Sequence, residues 1–328
     1  MRLLFIRFSS IGDIVLTTPV IRCAQEQIPG VEIHFLTKKS MQDLVASNPH
    51  IYQCHYLDKD INATIADLKK IKFDYIIDLH HNLRSWKIKS ALGVKAFSYH
   101  KLSLKKLLLA KLHINLLPKT HVCERYIDTL QHFKVVNDGK GLDYFFQVHT
   151  SFTAANLPTS HQAGFVAFVI GASYFNKKMP VAKWIQLAAK IQMPIVLIGG
   201  KEDQVVANLI AASNTSSIYN ACGKFSIEES ASIIQISKLV VAHDTGFLHV
   251  AAAFKKPTIT IWGATSPALQ FEAYYPSENT PAYFNAVVPN LNCQPCSKQG
   301  SGQCPQGHFA CMQLQDTDLI AAKVKAYL

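Results

Sequence analysis

The chain has 328 residues, 49% of them apolar, and a formal net charge of +11. This length and composition exclude wholesale disorder and allow two domains with large cores. No apolar run approaches the roughly 20 residues that span a bilayer, and the eight cysteines do not suggest a secreted disulfide scaffold. Because only four apolar residues follow Arg2, no signal peptide is recognised and we expect a cytoplasmic protein.

Short apolar runs alternate with amphipathic segments through the first half of the chain. Nearly continuous apolar strands separated by helices are typical of a parallel sheet that is covered on both faces. The predicted strands are residues 3–6, 31–36, 51–57 and 75–79. The predicted helices are residues 14–27 and 61–71 and a third that starts near residue 41.

The second half repeats this plan. The predicted strands are residues 165–170, 195–198, 217–219, 239–242 and 258–262. The predicted helices are residues 181–191, 204–212, 227–237, 247–254 and 318–328. Ser226 and Glu229 predict a capping box for the third of these helices. Two such units predict an α/β fold of two Rossmann-like, doubly wound domains that face a cleft, residues 1–155 and 156–328, with a polar linker at residues 149–161.

A small polar turn at residues 8–13 joins the first predicted strand to the first predicted helix. It has neither the glycine pattern of a dinucleotide-binding loop nor that of a P-loop. Asp13 stands where a phosphate-binding loop would avoid a carboxylate, so we predict that this turn holds a general base. The alternative is that Asp13 only caps the helix.

Polar turns also follow the predicted strands of the second half, at the strand ends where ligands of open α/β sheets bind. Asp244, Thr245 and Gly246 open a helix whose N–H groups and dipole favour a phosphate, or they form an ordinary helix cap. Lys177 is a natural phosphate partner or a basic loop tip. Asp203 can accept hydrogen bonds from a ribose or a base, or it only favours the start of the next helix.

Several motifs of this chain together resemble the bacterial heptosyltransferases of glycosyltransferase family 9, inverting enzymes that build the lipopolysaccharide core. The motifs are residues 7–19, 78–85, 121–126, 177–180, 243–252 and 262–267. The resemblance covers nearly the whole chain and implies a GT-B fold with the active site between two Rossmann-like domains. One departure is Met179, which stands where many relatives have Trp.

The resemblance implies a nucleotide-sugar donor, ADP-heptose in the best-known members, bound by the C-terminal domain, and an anionic glycolipid acceptor bound by the N-terminal domain. It implies that Asp13 is the general base and that Lys177 contacts the donor diphosphate. The other donor-binding candidates are Asp203, Asp244, Thr245, Gly246 and His249. The acceptor-binding candidates are Ser10, Gly12, Asn82, Arg84 and Arg125. Because Lys177 and the helix start at Thr245 can neutralise a leaving diphosphate, we expect no obligatory metal or other cofactor for catalysis.

The span between Leu79 and Cys123 carries nine Lys and Arg residues and no acidic residue. This charge predicts an anionic partner, and the alternative is a solvated basic face. Within the span, residues 102–117 are apolar with interspersed lysines. This pattern predicts peripheral contact with the inner face of the cytoplasmic membrane, and the alternative is a helix packed on the core with exposed lysines.

Four cysteines lie within 19 residues near the C-terminus, a spacing that fits a structural zinc site. Disulfides and free thiols are the alternatives. The four are Cys293, Cys296, Cys304 and Cys311.

Two other functions stay open at this point. A nucleotide-sugar epimerase or dehydrogenase is disfavoured because no dinucleotide-binding glycine pattern follows the first strand. A nucleic-acid-binding protein is suggested by the positive charge. It is disfavoured because the charge is concentrated in one span and no nucleic-acid-binding module is recognised, so we expect no nucleic-acid partner.

Overall fold

The computed structural model describes residues 1–147 and 152–328, and the chain divides into two compact units. Unit 1 comprises Met1–Lys101, Thr120–His149 and Pro276–Glu278. Unit 2 comprises Leu102–Lys119, Thr150–Tyr275 and Asn279–Leu328. The basic, apolar stretch at residues 102–119 therefore belongs to unit 2 although it precedes the last segments of unit 1 along the chain. The predicted boundary between residues 155 and 156 stays a prediction, and residues 149–151 of the predicted linker lie outside the described residues.

Unit 1 is built on a five-stranded, all-parallel sheet. Its strands are β1 (Arg2–Ile6), β2 (Glu32–Lys38), β3 (Gln53–Leu57), β4 (Tyr75–Asp78) and β5 (Lys95–Ser98). They pair in the order β3-β2-β1-β4-β5. The order reverses between β1 and β4, and ligands of open α/β sheets bind at the carboxyl ends of the strands at such a reversal.

The α-helices in the first 127 residues lie mostly between the strands of unit 1. They are α1 (Ile11–Val15), α2 (Thr18–Gln27), α3 (Ile61–Lys69), α4 (Leu83–Leu92), α5 (Ser103–Leu112, in unit 2) and α6 (Val122–Ile127). The single helix predicted for residues 14–27 is wrong, because Ser10 caps a helix that starts at Ile11, and a second helix with Pro19 in its first turn follows. The helix predicted from residue 41 is a 3-10 helix, Lys39–Leu44.

Unit 2 is built on a six-stranded, all-parallel sheet. Its strands are β6 (Val166–Val169), β7 (Ile195–Ile198), β8 (Ile218–Asn220), β9 (Leu239–His243), β10 (Thr258–Ile261) and β11 (Tyr283–Ala286). They pair in the order β11-β10-β9-β6-β7-β8, so this sheet reverses between β6 and β9. Both sheets thus have the strand order of a doubly wound fold, which confirms the predicted α/β class with two Rossmann-like units.

Helices pack on the sheet of unit 2. They are α7 (Thr159–Gln162), α8 (Val181–Ala188), α9 (Gln204–Ala211), α10 (Ile227–Ile236), α11 (Gly246–Ala253), α12 (Ala310–Gln313) and α13 (Thr317–Tyr327). The predicted capping box is confirmed, since the Ser226 N–H donates to the Glu229 carboxylate at 2.8 Å and the Glu229 N–H donates to the Ser226 hydroxyl at 3.2 Å. Helix α13 buries Ile320 and Val324 in the core that contains Trp184. No helix among the described residues is long and apolar enough to cross a membrane.

Candidate active site

Asp13 lies at the carboxyl end of β1, on one side of the sheet reversal of unit 1, as the third residue of α1. Its Oδ1 is 2.5 Å from Arg7 Nη2, and its Oδ2 accepts hydrogen bonds from the Ser10 N–H at 3.0 Å and the Ser10 hydroxyl at 2.8 Å. Burial opposes ionisation, but the charge of Arg7 and the donors of Ser10 lower the pKa of Asp13 to about 2. The carboxylate is therefore ionised at neutral pH, and it takes part in a helix cap while its second oxygen faces Arg7.

Arg7 is buried and holds Asp13 in place. Its Nε donates to the Ser9 carbonyl at 3.1 Å, and its Nη1 donates to the Tyr126 hydroxyl at 3.0 Å and to the Leu79 carbonyl. The charge of Asp13 outweighs burial and raises the pKa of Arg7. The sequence predicted no separate role for Arg7, because the contact with Tyr126 joins residues far apart in the chain.

The acceptor-binding candidates all lie in unit 1, in different environments. Ser10 is the exposed N-cap of α1, and Gly12 is buried within that helix. Asn82 caps α4, where its side-chain oxygen accepts the Ser85 N–H at 3.0 Å, and Arg84 in the first turn of that helix is exposed. The amide of Asn82 therefore stabilises a helix, and Arg84 has an accessible guanidinium.

Arg125 on α6 differs from these candidates because it is only 5% exposed. Its Nη1 donates to the His100 carbonyl at 3.1 Å, whereas the buried Nε and Nη2 have no hydrogen-bond partner among the described residues. Burial lowers the pKa of Arg125. Buried N–H groups without a partner are costly, and a planar guanidinium pairs well with a carboxylate or a phosphate. Arg125 is thus suited to bind an anion.

Lys177 and Asp244 meet on the two sides of the sheet reversal of unit 2. Lys177 follows β6 and Asp244 follows β9, and Lys177 Nζ lies 2.7 Å from Asp244 Oδ2. The Thr265 hydroxyl donates to the same oxygen at 2.8 Å. Asp244 therefore orients the ammonium group. The N-cap of α11 is Thr245, with no side-chain hydrogen bond, so Asp244 itself is not the N-cap, and ligand binding at this helix start stays a prediction.

Gly246 and His249 belong to α11, which starts directly after this ion pair. Gly246 is the first residue of the helix, and His249 is buried one turn later. Because the first N–H groups of a helix have no partner within it, the start of α11 beside Lys177 can bind an anion.

Asp203 is buried, and its carboxylate is already engaged. Its Oδ1 lies 2.6 Å from Lys178 Nζ, and its Oδ2 accepts the Gly200 N–H at 3.0 Å. A Cβ at Gly171 would lie 2.6 Å from the same Oδ2, so this close approach requires a glycine. Asp203 thus holds Lys178 and the turn after β7 in place, and contact with a ribose or base stays a prediction.

His243 joins the two turns that carry Lys177 and Asp244. It is the last residue of β9, fully buried, and its Nε2 accepts the Met179 N–H at 2.9 Å. Burial lowers the pKa of His243 to about 3, so the ring is neutral and keeps its acceptor. This contact was not predicted from the sequence, although a histidine that ends an apolar strand directly before Asp244 was a usable signal.

The four clustered cysteines are free thiols, and Cys311 is buried whereas the other three are half-buried. Burial, with the neighbouring thiols Cys296, Cys304 and Cys293, raises the pKa of Cys311 to about 12. Within the described part of the chain, no three or more His, Cys, Asp and Glu residues form a group that could hold a metal ion. The structure therefore does not confirm the predicted zinc site, which stays a prediction.

Two Asp-x-Asp triplets, a pattern that can bind a divalent ion, occur at residues 58–60 and 316–318. In each of them a carboxylate caps a helix. Asp60 accepts the Asn62 N–H at 2.9 Å, and Asp316 accepts the N–H groups of Asp318 and Leu319 at 3.0 and 2.9 Å. These triplets therefore have a structural role at α3 and α13.

The family model described as glycosyltransferase family 9 (heptosyltransferase) matches residues 61–305, which is more than half of the chain. The chain belongs to glycosyltransferase family 9. This match confirms the predicted family and the predicted enzyme class. The clusters around Asp13 and Lys177 therefore belong to a glycosyltransferase.

This glycosyltransferase is similar in sequence or in structure to several heptosyltransferases and glycosyltransferases over most of its length. Lipopolysaccharide heptosyltransferase 1 of Pseudomonas aeruginosa is 23% identical, over 91% of this chain and 87% of that protein. A family 9 glycosyl transferase structure from Veillonella parvula aligns with a TM-score of 0.76 at 17% identity, over 99% of this chain and 96% of that one. The E. coli heptosyltransferase WaaC with ADP-2-deoxy-2-fluoro heptose aligns with a TM-score of 0.66 at 19% identity, over 100% of both chains. These structures share the GT-B fold class that the sequence predicted.

Proposed function

We propose that this glycosyltransferase transfers a heptose from ADP-heptose to an anionic glycolipid acceptor of the lipopolysaccharide core, with inversion at the anomeric carbon. The main support is the ion pair of Lys177 and Asp244 beside the start of α11, at the reversal of the unit 2 sheet. The E. coli relative WaaC, with its ADP-2-deoxy-2-fluoro heptose, supports ADP-heptose as the donor.

In this proposal unit 2 binds the donor. Lys177 and the backbone N–H groups of Thr245, the N-cap of α11, and of Gly246, its first residue, contact the diphosphate, whose charge increases as the sugar leaves. Asp244 keeps the ammonium of Lys177 oriented toward it. His249 adjoins the site from the same helix, and Asp203 supports the neighbouring turn.

Unit 1 binds the acceptor and supplies the base. Arg125 and Arg84 attract the anionic groups of the acceptor. Ser10, Gly12 and Asn82 complete the set of acceptor-binding residues. Asp13 accepts the proton of the attacking hydroxyl as the new C–O bond forms, while the bond to the diphosphate breaks and ADP leaves with the electron pair. Since the pKa of Asp13 is about 2, the carboxylate is ready to accept this proton throughout the neutral range.

The proposal includes no obligatory metal, because Lys177 and α11 supply positive charge to the leaving group. Turnover in the presence of a chelator tests this point, and a loss that added Mg²⁺ restores would contradict it. We retain structural zinc at the four cysteines only as a prediction, which the zinc content of the purified protein tests. A cytoplasmic location at the inner membrane face belongs to the same proposal.

Thermal unfolding with a panel of nucleotide sugars tests the donor. ADP-heptose at 100 times its dissociation constant should add about 2.7 kcal/mol to the free energy of unfolding, while UDP- and GDP-sugars should add much less. Release of ADP when a heptose-free core glycolipid is added tests the transfer. Equal stabilisation by all the nucleotides, or no ADP release, would overturn the proposal.

A further inference from the structure

Helix α5 turns apolar side chains toward solvent and a cation toward the protein. Its buried residues are Lys106, Leu109 and Ala110. Leu104, Leu107 and Leu112 are 69%, 41% and 61% exposed. At 100° per residue, Leu104 lies on the side of the helix opposite to the buried residues, and Leu107 and Leu112 lie on its two flanks. The helix thus buries a lysine beside Leu109 and Ala110 and leaves three leucines exposed, whereas an ordinary surface helix buries its apolar side.

Lys106 has a specific contact on the buried side of α5. Its Nζ lies 4.0 Å from the centre of the Phe271 ring, which is a cation–π contact. Phe271 belongs to unit 2, as α5 does. The buried lysine therefore has a specific aromatic partner in the same unit.

The apolar surface continues beyond the helix. Ile114 and Leu116 are 48% and 53% exposed. We call the exposed side chains of this segment the α5 surface: Leu104, Lys105, Leu107, Lys111, Leu112, Ile114, Leu116 and Lys119. Single exposed apolar residues are normal on a protein surface, but five of them within 13 consecutive residues mark an interaction site.

The charges of the α5 surface indicate its partner. Lys105, Lys111 and Lys119 are exposed, and residues 102–119 contain no acidic residue. A second copy of the chain packed symmetrically on this surface would bring the same lysines together, which is unfavourable. A bilayer with anionic headgroups accepts leucines among its acyl chains and lysines at its surface.

We propose that the α5 surface docks this glycosyltransferase on an anionic lipid bilayer. The inference deepens the proposed function, on which it rests, since it identifies the residues that bring the enzyme to a lipid-linked acceptor. Leu104, Leu107 and Leu112 insert at the boundary between headgroups and acyl chains, and Lys105 and Lys111 pair with lipid phosphates.

Sedimentation with vesicles tests this docking. Wild-type protein should bind vesicles with about one third phosphatidylglycerol and not pure phosphatidylcholine. Binding should weaken at least about tenfold between roughly 0.1 and 1 M salt, where the Debye length falls from about 10 to 3 Å. The variant L104S/L107S/L112S should bind at least about tenfold more weakly, because each exposed leucine loses its insertion. K105Q/K111Q should reduce the salt dependence.

The matched control is V205S/L209S, which changes two apolar residues of α9 that are 73% and 56% exposed. It should bind vesicles as the wild type does. Absence of binding to phosphatidylglycerol vesicles would overturn the proposal. An equal loss of vesicle binding in L104S/L107S/L112S and in the control variant would also overturn it. A concentration-dependent dimer in sedimentation velocity that the three leucine substitutions abolish would also overturn it, since it would identify a second copy as the partner.

Stabilisation by ADP-heptose separates this inference from the function on which it rests. Vesicle binding without stabilisation by ADP-heptose would contradict the proposed donor and support the docking surface. Stabilisation by ADP-heptose without vesicle binding would support the proposed donor and contradict the docking surface. The leucine variant should keep the wild-type stabilisation by ADP-heptose, which shows that it is folded.

Discussion

Arg7 Nη2 lies 2.5 Å from Asp13 Oδ1, so the residue that follows β1 holds the carboxylate in the first turn of α1. The guanidinium is itself fixed by Tyr126. The ion pair keeps Asp13 charged and directs the side chain, but it also makes the carboxylate a weaker base than a free one. In the proposed mechanism, catalysis through Asp13 therefore depends on its position beside the acceptor hydroxyl rather than on a high proton affinity.

Replacement of Asp13 by Asn should lower kcat by roughly 10²–10⁴-fold, because the amide cannot accept a proton. The Kd for ADP-heptose, measured by calorimetry, should stay within about twofold, since the donor contacts proposed above lie in unit 2. Asp67→Asn, at an exposed carboxylate that pairs with Lys70, is the control and should leave both values unchanged. Near wild-type turnover of the Asp13→Asn enzyme would exclude Asp13 as the base.

The pH profile of kcat/KM should change when Arg7 is replaced. In the wild type the pKa of Asp13 is about 2, so protonation of the base should not limit the rate above about pH 3. Arg7→Gln removes the opposite charge, which raises the pKa of Asp13, so the acidic limb should move up by about 1–2 pH units. Arg7→Lys should move the limb less.

The control for this profile is Arg2→Gln, which breaks the exposed pair with Glu32 in the same unit. It should leave the acidic limb where it is. A limb that stays in place in Arg7→Gln as well would show that Arg7 does not set the ionisation of the catalytic group.

A double-mutant cycle should separate the roles of Lys177 and Asp244. Lys177→Met should lower kcat by about 10²–10³-fold, as for the loss of one charge-stabilising donor. Asp244→Asn alone should cost less, because the ammonium remains but loses its orientation. The double variant should be no worse than Lys177→Met, since Asp244 acts through Lys177.

The control cycle uses Lys190 and Asp318, a pair in the same unit with an 84% exposed carboxylate. Neither of its variants should affect turnover. If the effects of Lys177→Met and Asp244→Asn multiplied fully, Asp244 would contact the donor itself.

Replacement of Arg125 by Met should raise the KM for the acceptor at least about tenfold and leave the Kd for ADP-heptose unchanged. The midpoint of thermal unfolding should change little, because the loss of the hydrogen bond to the His100 carbonyl is offset by the removal of two buried nitrogens that have no partner among the described residues. Arg125→Lys should not restore the KM, since an ammonium lacks the planar pair of donors.

Lys70→Met, at an exposed position of unit 1, is the control for this measurement. A large drop in the unfolding midpoint of Arg125→Met, with an unchanged acceptor KM, would assign Arg125 a structural role instead.

Much of the fold was predictable because buried parallel strands appear in the sequence as short apolar runs, as in β1 and β9. The sequence missed β5 and β11, which lie at the sheet edges and have few fully buried residues. It also missed α4, whose residues bury only Ser85 and Ile88, so that little apolar periodicity is visible.

The candidate site was predictable where its residues share one motif, as Asp244, Thr245 and Gly246 do. The partners of these residues were not. The contacts of Lys177 with Asp244, of Lys178 with Asp203 and of Arg7 with Tyr126 each join distant segments. The first two contacts depend on the strand order, which places β6 between β9 and β7, and the third depends on how α6 packs near the end of β1. No local pattern encodes these arrangements.

The hydrogen bond from the Met179 amide to His243 has a consequence for how the donor meets its site. Folding itself immobilises the lysine-bearing turn against the neighbouring strand, so its conformational entropy is lost before any nucleotide arrives. Because the pKa of His243 is about 3, the imidazole stays neutral in mildly acidic solution, and the hydrogen bond from the Met179 amide is kept. If this turn binds the donor as proposed, the diphosphate meets a pre-organised site, and its affinity should vary little across weakly acidic and neutral solutions.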